Sequence, residues 1–372
     1  MQPLSILVIG AGIGGLTAAI ALRARSHDVQ MIERDPTWSV YGVGIIQQGN
    51  VVRAMTELGL IDDYLEAGFG FDHVEVFIPT GQSVAKIPTP RLVPDKPANV
   101  GISRPALHKV LGDRALGAGA EIRLGVTAQT IEDDGTKVAV RFSDGAEVSY
   151  DLVIGADGLY SQTRQTIFPD APLPEFTGQS VWRYNFPRLP DLTGLHAYEG
   201  PTGVGLVPLS HDLMYMYLTT PEPGNPRYPR ESMAAAMRDK LAAIPAPAIR
   251  ALAEQISDDD GVVYKPLEWL FLTGQWHKGR VVLLGDAVHA TTPHLGQGAG
   301  MAIEDAMVLA EELDRSADLE AALSAYRDRR FERCRYIVEA SRAICLGQIG
   351  RGPLVENATA TREMFAKVAE PI

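Results

Sequence analysis

LSILVIGAGIGGLTAAIALRARSHDVQMIE, residues 4–33, decides the fold. Leu4–Ile9 is a short apolar run ending at a glycine, the pattern of a buried strand. Gly10-Ala11-Gly12-Ile13-Gly14-Gly15 follows and spells G-x-G-x-x-G. Leu16–Arg25 has helical spacing and good helix formers. Val29–Ile32 is a second strand, closed by the acid Glu33. Strand, glycine turn, helix, strand and acid, in that order, are the context a dinucleotide-binding fingerprint requires. Gly10 makes the turn, Gly12 admits a pyrophosphate, and Gly15 lets the helix pack on the strand. Glu33, about 20 residues on, accepts from ribose hydroxyls. The competing account is an ordinary βαβ unit with a glycine-rich turn. The motif does not separate FAD from NAD.

A second stretch, GRVVLLGDAVHATTPHLGQGAGMAIED at 279–305, completes the site. Arg280–Leu284 reads as a buried parallel strand, Gly285-Asp286 as a tight turn, and 291–295 as a proline-containing loop. A helix opens near Gly296-Gln297-Gly298. The glycines allow close backbone approach. A helix start aims free N–H groups and a positive dipole end into that loop. A planar, electron-rich ligand with a polar tail fits there.

Between these stretches, Trp38–Asn50 reads as a loop, with Gly42 and Gly44 spaced for another close approach. Val51–Leu58 is helical, and Asp72–Ile78 and Ser83–Ile87 are strands. Ser103 caps a helix to Gly117, with Pro105 in its first turn and Arg104 at its start. That arginine either holds a phosphate or is a surface charge. Residues 120–150 alternate as strands turning at Asp133-Asp134-Gly135 and Ser143-Asp144-Gly145. Asp151–Gly155 leads into Ala156-Asp157-Gly158 and a helix containing Arg164.

From Ala171 strands dominate: Ser180–Phe186, Leu195–Glu199, Val204–Leu209 and Asp212–Thr220, followed by helices at Glu231–Ile244 and Ala248–Ser257. His211, Leu213, Tyr215 and Tyr217 fall on one face, and Met214 and Met216 on the other. The tyrosine face either is solvated or roofs a ligand pocket. Trp182-Arg183 places a guanidinium either near a substrate carboxylate or in a surface ion pair. Ala317–Ile344 is a long helix or helix pair whose arginines, interleaved with acids, read as a solvated face. The tail beyond Gly350 shows weak periodicity.

The chain's 372 residues imply two domains. Hydrophobic content of 46% and charged content of 22% are those of a soluble globular protein. A formal net charge of −12 argues against nucleic acid or an anionic membrane as partner. Leu4–Ala24 lacks a basic start and is broken by glycines, unlike a signal peptide. No uninterrupted apolar run reaches the ~18 residues of a membrane span. The two cysteines, Cys334 and Cys345, would lie roughly 16 Å apart along one helix. That is too far for a disulfide, so a reducing, cytoplasmic location is expected.

Three motifs now stand in order: Gly10–Gly15 with Glu33; Gly155-Ala156-Asp157-Gly158 with Arg164; and Gly285-Asp286 with Pro293 and Gly296-Gln297-Gly298. Over residues 4 to about 335 the set resembles the group A FAD-dependent aromatic hydroxylases, single-component flavoprotein monooxygenases. Gly42-Val43-Gly44-Ile45, Ser103-Arg104-Pro105-x-Leu107 and the run from Pro293 to Gly298 are most similar to the salicylate and 6-hydroxynicotinate 3-monooxygenase branch. The resemblance implies an α/β fold of the para-hydroxybenzoate hydroxylase type. In it a Rossmann-like FAD-binding domain (1–72, 97–170 and 275–345) carries an inserted substrate domain of antiparallel sheet and helices (73–96 and 171–274). Residues 346–372 form a C-terminal helix or tail.

The resemblance also implies roles. Gly10, Gly12, Gly15 and Glu33, with Arg34, hold the ADP half of FAD, and Arg104 approaches the pyrophosphate. Asp157 and Gly158 serve FAD and a passing NADH or NADPH. Asp286 accepts from the ribityl chain. Pro293 and Gly296, Gln297 and Gly298 bring a helix start to the flavin, where the dipole stabilises negative charge on the reduced ring. The implied reaction is hydroxylation of a small phenolic acid or hydroxypyridine by O2 through a flavin C4a-hydroperoxide, in a monomer or homodimer. His211, Tyr215 and Tyr217 are the candidates for substrate contact or proton relay. Ile46 stands, with Gln48 near it, where the hydroxynicotinate pattern has a histidine. Leu213 matches a second histidine of that pattern, and Tyr217 its tyrosine. Ile46, Gln48, Arg183, Leu213 and Pro293 are therefore the expected substrate contacts. The alternatives are an oxidase or reductase of the same fold, and a flavin-binding protein without turnover.

Overall fold

The computed structural model describes residues 2–200 and 202–372. Leu4–Ile9 is apolar because its strand, Ser5–Ile9, lies in the middle of a six-stranded sheet. Its neighbours are Asp28–Glu33 and Leu152–Gly155, both parallel, with Leu7 opposite Gln30 on one side and Val153 on the other. Glu121–Leu124 extends one edge. Val281–Leu283 and the short antiparallel His277–Lys278 extend the other. Helices cover the sheet, so Ile6, Leu7, Val8, Val153 and Ile154 are fully buried. The Ile13–Arg23 helix crosses from the first strand to the second. It packs on the Gly298–Arg315 helix so closely that a Cβ on Gly14 would meet Ala302 Cβ at 3.3 Å and Leu284 Cδ2 at 2.7 Å.

A seven-stranded sheet forms the second layer. Its spatial order is Val263–Trp269, Glu175–Pro187, Leu213–Pro221, Val204–Pro208, Leu195–Tyr198, His73–Phe77 and Ser83–Pro88. All neighbours are antiparallel except Leu195–Tyr198 with His73–Phe77. Alternation sorts its faces. Trp182, Phe186, Leu206, Met214, Met216 and Leu218 form one core with the helices Met233–Leu241 and Pro247–Ala253. The opposite face carries Arg183, Val207, Tyr215 and Tyr217. This is an α/β fold of the para-hydroxybenzoate hydroxylase type.

Several local expectations are corrected. Gly44–Gln48 is a strand and not loop, because Ile45 and Ile46 pair with Ile102 and Gly101 of Asn99–Ser103; its glycines masked that pattern. Val263–Trp269, for which the sequence reading gave no element, is a strand containing Pro266, which an edge strand tolerates. The solvated arginine face does not hold throughout. On the Leu319–Gln348 helix, Arg330 and Arg333 are buried and paired with Glu304 and Asp305. Acids on the neighbouring helix, distant in sequence, make that burial possible. The tail contains a further helix, Asn357–Ala369. Cys334 and Cys345 share one helix and are free, as expected. Among the described residues no helix is long and apolar enough to cross a membrane.

Candidate functional site

The first glycine turn is shaped by backbone contact. Gly10 has φ +103°, and a Cβ there would lie 2.5 Å from the Ala156 carbonyl oxygen. A Cβ on Gly15 would lie 1.9 Å from the Gly10 oxygen, so those two glycines are obligatory for packing. Gly12 differs: nothing stands within 4 Å of its would-be Cβ. It opens the Ile13–Arg23 helix, whose first turn has no side-chain cap. Free N–H groups there face the open side, an anion-binding arrangement. The Glu33 carboxylate accepts from Ala11 N (3.1 Å) and Asp35 N (3.0 Å), at the rim of the turn. Arg34 is exposed. Trp38 and His108, which the sequence did not single out, both reach the Ala11 carbonyl at 3.1 Å and meet edge to face.

Asp157 turns inward. It accepts from Ser161 Oγ (2.5 Å) and from Thr163 N and Oγ1 (both 2.9 Å), closing the turn into the Gln162–Ile167 helix. Gly158 holds φ +81° beside it. Arg164 is fully buried and donates to the Leu159 and Ala287 carbonyls, so this turn braces the segment at Asp286.

Asp286 starts a one-turn helix after Gly285. Its side chain reaches solvent although protein atoms surround it densely. Burial raises its carboxyl above the usual range, with the His289 and Arg104 charges opposing. Below it, Asp305 takes Gly285 N (3.0 Å), His289 Nε2 (2.5 Å) and Arg330 Nε (2.8 Å). Pro293 is exposed, and Gly296 adopts the left-handed conformation at φ +65°. Gly298 opens an 18-residue helix that has no side-chain cap. Gln297 points away from the cleft, into the protein. Its Nε2 donates to Gln48 Oε1 (2.5 Å) and Asn50 Oδ1 (3.2 Å), and its Oε1 accepts from Asn50 Nδ2 (3.0 Å).

The sheet face opposite carries the other half of the site. Arg183 lies in register with Tyr217, and Val207 with Tyr215. Each tyrosine ring takes the room of an absent side chain: Tyr217 that of Gly205, Tyr215 that of Gly44. Tyr215, Val207 and Leu209 form a small apolar cluster with Ile46, Leu195, Leu213 and Tyr217. Thus Ile46, Leu213, Tyr215 and Tyr217 come together, with Leu195, Val207 and Leu209 added by the fold. Burial pushes both phenols up; nearby Arg183 and Arg104 partly offset this for Tyr215. Arg183 is lowered to about 10, first by burial and then by the Arg104 charge. Arg104 is lowered by burial too, with Tyr215, Asp286 and Tyr41 as its electrostatic partners. Among the described residues neither arginine is in an ion pair, so the surface-pair account of Arg183 fails.

Two other candidates lie elsewhere. His211 is in the turn before the Leu213–Pro221 strand; its imidazole is 90% exposed and bonded to neighbouring Asp212, while its carbonyl accepts from Arg188 Nε (2.7 Å). The strand begins two residues later than the alternation required. Gln48 does not line the cleft. It is buried, donating to the Leu295 carbonyl (2.9 Å) and accepting from Gln297.

A glycine turn before an uncapped helix, a carboxylate at the second strand's end, a second uncapped helix and an unpaired Asp286 suit a long dinucleotide with a planar head. The fold and this cleft define a flavoprotein of the aromatic-hydroxylase class. The chain belongs to the family described as FAD binding domain, which matches residues 4–341, and it is an FAD-dependent monooxygenase. It is 32% identical to the aurachin C monooxygenase/isomerase of Stigmatella aurantiaca over 359 residues, 94% of this chain and 90% of that one. It is 32% identical to the 6-hydroxynicotinate 3-monooxygenase of Bordetella bronchiseptica, covering 90% of each. The solved Klebsiella pneumoniae HpxO, complexed with FAD and uric acid, superposes with a TM-score of 0.83 at 27% identity, covering 99% of this chain and 93% of that one.

Proposed function

We propose that this enzyme hydroxylates a small aromatic ring bearing an acidic oxygen, using O2 and NADH or NADPH. The observation that carries the reading is the pair Arg183 and Arg104. Two half-buried guanidiniums without ion-pair partners border an apolar cluster, and burial makes an unpaired charge unfavourable unless an anion joins it. A flat ring lies between Ile46, Leu213 and the two tyrosines, with its oxyanion or carboxylate towards Arg183. Tyr215 and Tyr217 keep their protons at neutral pH and act as hydrogen-bond donors. The arginines favour the deprotonated ring, the better nucleophile, whose proton passes to solvent as the ring binds.

In this assignment Gly10, Gly12, Gly15 and Glu33 hold the ADP half of FAD, with Arg34 at the margin. Asp286 accepts from the ribityl hydroxyls. Arg104, with Tyr215 and Asp286 as electrostatic neighbours, would serve the cofactor's phosphates and the substrate anion alike. The Gly298 helix start and the Pro293–Gly296 turn face the flavin ring. FAD, when bound, supplies the oxygen-activating redox chemistry; the protein orients the ring and excludes water. Asp157 and Gly158 act by shaping the turn. Residues 1–72, 97–170 and 275–345 form the FAD-binding part and 73–96 with 171–274 the substrate part.

The test is anaerobic flavin reduction by NADH and by NADPH, with and without a panel of hydroxylated aromatic acids and hydroxypyridines. Acceleration by one class, with oxygen incorporated on aeration, supports the reading. Equal reduction without any aromatic, and no oxygenated product, removes it.

A further inference from the structure

The polar network behind Gln297 reaches the end of the Asn357–Ala369 helix and the two residues after it. Gln297 is the one side chain in Gly296-Gln297-Gly298 able to anchor that turn, and it is 1% exposed. Met364 Sδ, on the Asn357–Ala369 helix, lies 3.5 Å from its Nε2. Asn50, fully buried, links Gln297 to Glu304 through one Nδ2 (3.0 Å to each oxygen). Glu304 pairs with Arg330 (2.7 Å) and Arg333 (3.2 Å). Arg333 then donates to the carbonyls of Glu370 (2.9 Å) and Pro371 (2.7 Å). Arg53 donates to those of Val368, Ala369 and Glu370 at 3.2–3.3 Å. The final carbonyls of a helix lack intrahelical partners and carry its negative dipole end, so two guanidiniums there are well placed.

We propose that the segment from Met364 to Pro371 is a positioning element of the cofactor site. It fixes the Gly296–Gly298 turn through Arg333, Glu304, Asn50 and Gln297. The inference rests on the reading that this turn faces the flavin. A helix start stabilises a ligand only if its aim is fixed, and a buried network fixes it only when every member is satisfied. The segment is tethered by residues 351–354, all exposed, with Leu354 at 90%. Among the described residues it is held by the buried side chains Ala360, Met364 and Val368, by the partly buried Phe365, and by Arg53, Arg333 and Arg329, the last donating to the Ile372 carbonyl (2.8 Å). Such an element opens locally at less than the global unfolding free energy. By linkage, FAD binding and docking of the helix strengthen each other.

The experiment is hydrogen exchange of the full chain, with and without FAD, together with FAD titration of the cofactor-free protein. Arg333→Gln is expected to speed exchange at residues 296–300 without FAD and to weaken FAD binding by about tenfold. In the unaltered chain, FAD is expected to slow exchange across 357–369. Should Arg333→Gln not fold, Arg53→Gln makes the same test: that side chain is 19% exposed, stands 4.0 Å from Glu304, and donates to the Val368, Ala369 and Glu370 carbonyls. Unchanged exchange at 296–300 in the variant overturns the proposal. Faster exchange there with unchanged FAD affinity leaves the clamp standing and removes the flavin from this turn.

Discussion

The ring of Tyr215 occupies the space that a side chain on Gly44 would need: a Cβ there would lie 2.4 Å from the ring's Cδ1. Leu209 Cδ2 would be equally close. The contact ties the Gly44–Gln48 strand to the tyrosine face and sets where the ring sits. Gly44→Ala therefore shifts Tyr215 or the strand, an overpacking effect of about 1–3 kcal/mol. The expected result is aromatic-ligand affinity weakened about tenfold with full flavin content, since 1.4 kcal/mol is tenfold. Ligand titration of the holoenzyme and flavin absorbance measure the two separately.

Arg183 makes a prediction of opposite sign for binding and for stability. Arg183→Gln removes charge-assisted hydrogen bonds of about 1.5–3 kcal/mol to an anionic ring, roughly 10- to 150-fold in affinity. It also removes a desolvated charge that Arg104 repels. The ligand-free variant is expected to melt higher than the parent, by roughly 1–3 °C. A lower melting temperature with unaltered affinity would show Arg183 to be part of the packing.

His211→Ala should leave kcat/KM unchanged, because the imidazole is 90% exposed and bonded only to Asp212. A large loss would return it to the site and require the turn to fold inward.

What was legible in the sequence is what lies in short-range pattern. The turn at Gly10, Gly12 and Gly15 with Glu33 at its rim was readable as a βαβ element because one short stretch contains both the motif and its strand–helix–strand context. The Tyr215 and Tyr217 face was readable from period-2 alternation, but alternation says nothing about where a strand begins, and so His211 was misplaced. Gln48 and Asn50 meet Gln297 and Glu304 only across some 250 residues, and Glu304 meets Arg333 from a neighbouring helix; no local pattern announces them. The cluster residues Leu195, Val207 and Leu209 looked like any apolar strand positions.

The His289–Asp305 pair makes stability pH-dependent in two windows. Burial opposes the His289 charge, but Asp305 prevails and raises its pKa well above 6.5. A raised histidine contributes fully below 6.5, where the unfolded chain is also protonated. Its contribution falls as pH climbs from there towards the folded value. Asp305 moves the other way, to about 2 from 3.8, against burial and through His289 and Arg330. Its contribution is complete above 3.8 and is lost as pH drops towards 2. Urea unfolding of the parent and His289→Gln should therefore differ most between about pH 4 and 6.5 and converge on both sides. A difference that grows above pH 7 would mean that His289 is neutral when folded.

Asp286 is predicted to trade stability for the cofactor. Its carboxyl is raised by burial, and among the described residues it makes no hydrogen bond or ion pair through its side chain. An acid with a raised folded pKa is unfavourable to folding above the unfolded value of 3.8, and the penalty vanishes below it. Asp286→Ala should thus raise the melting temperature of the FAD-free protein at neutral pH, with the gain fading as pH falls below about 4. On the proposed assignment the same change removes an ionised acceptor from the ribityl hydroxyls, about 1.5–3 kcal/mol, so FAD should dissociate roughly 10- to 150-fold more readily. Fluorescence titration of the FAD-free protein and calorimetry with and without FAD measure both. If the variant keeps FAD as tightly as the parent, Asp286 does not touch the cofactor; if its FAD-free form is also less stable, the carboxylate has a structural partner instead.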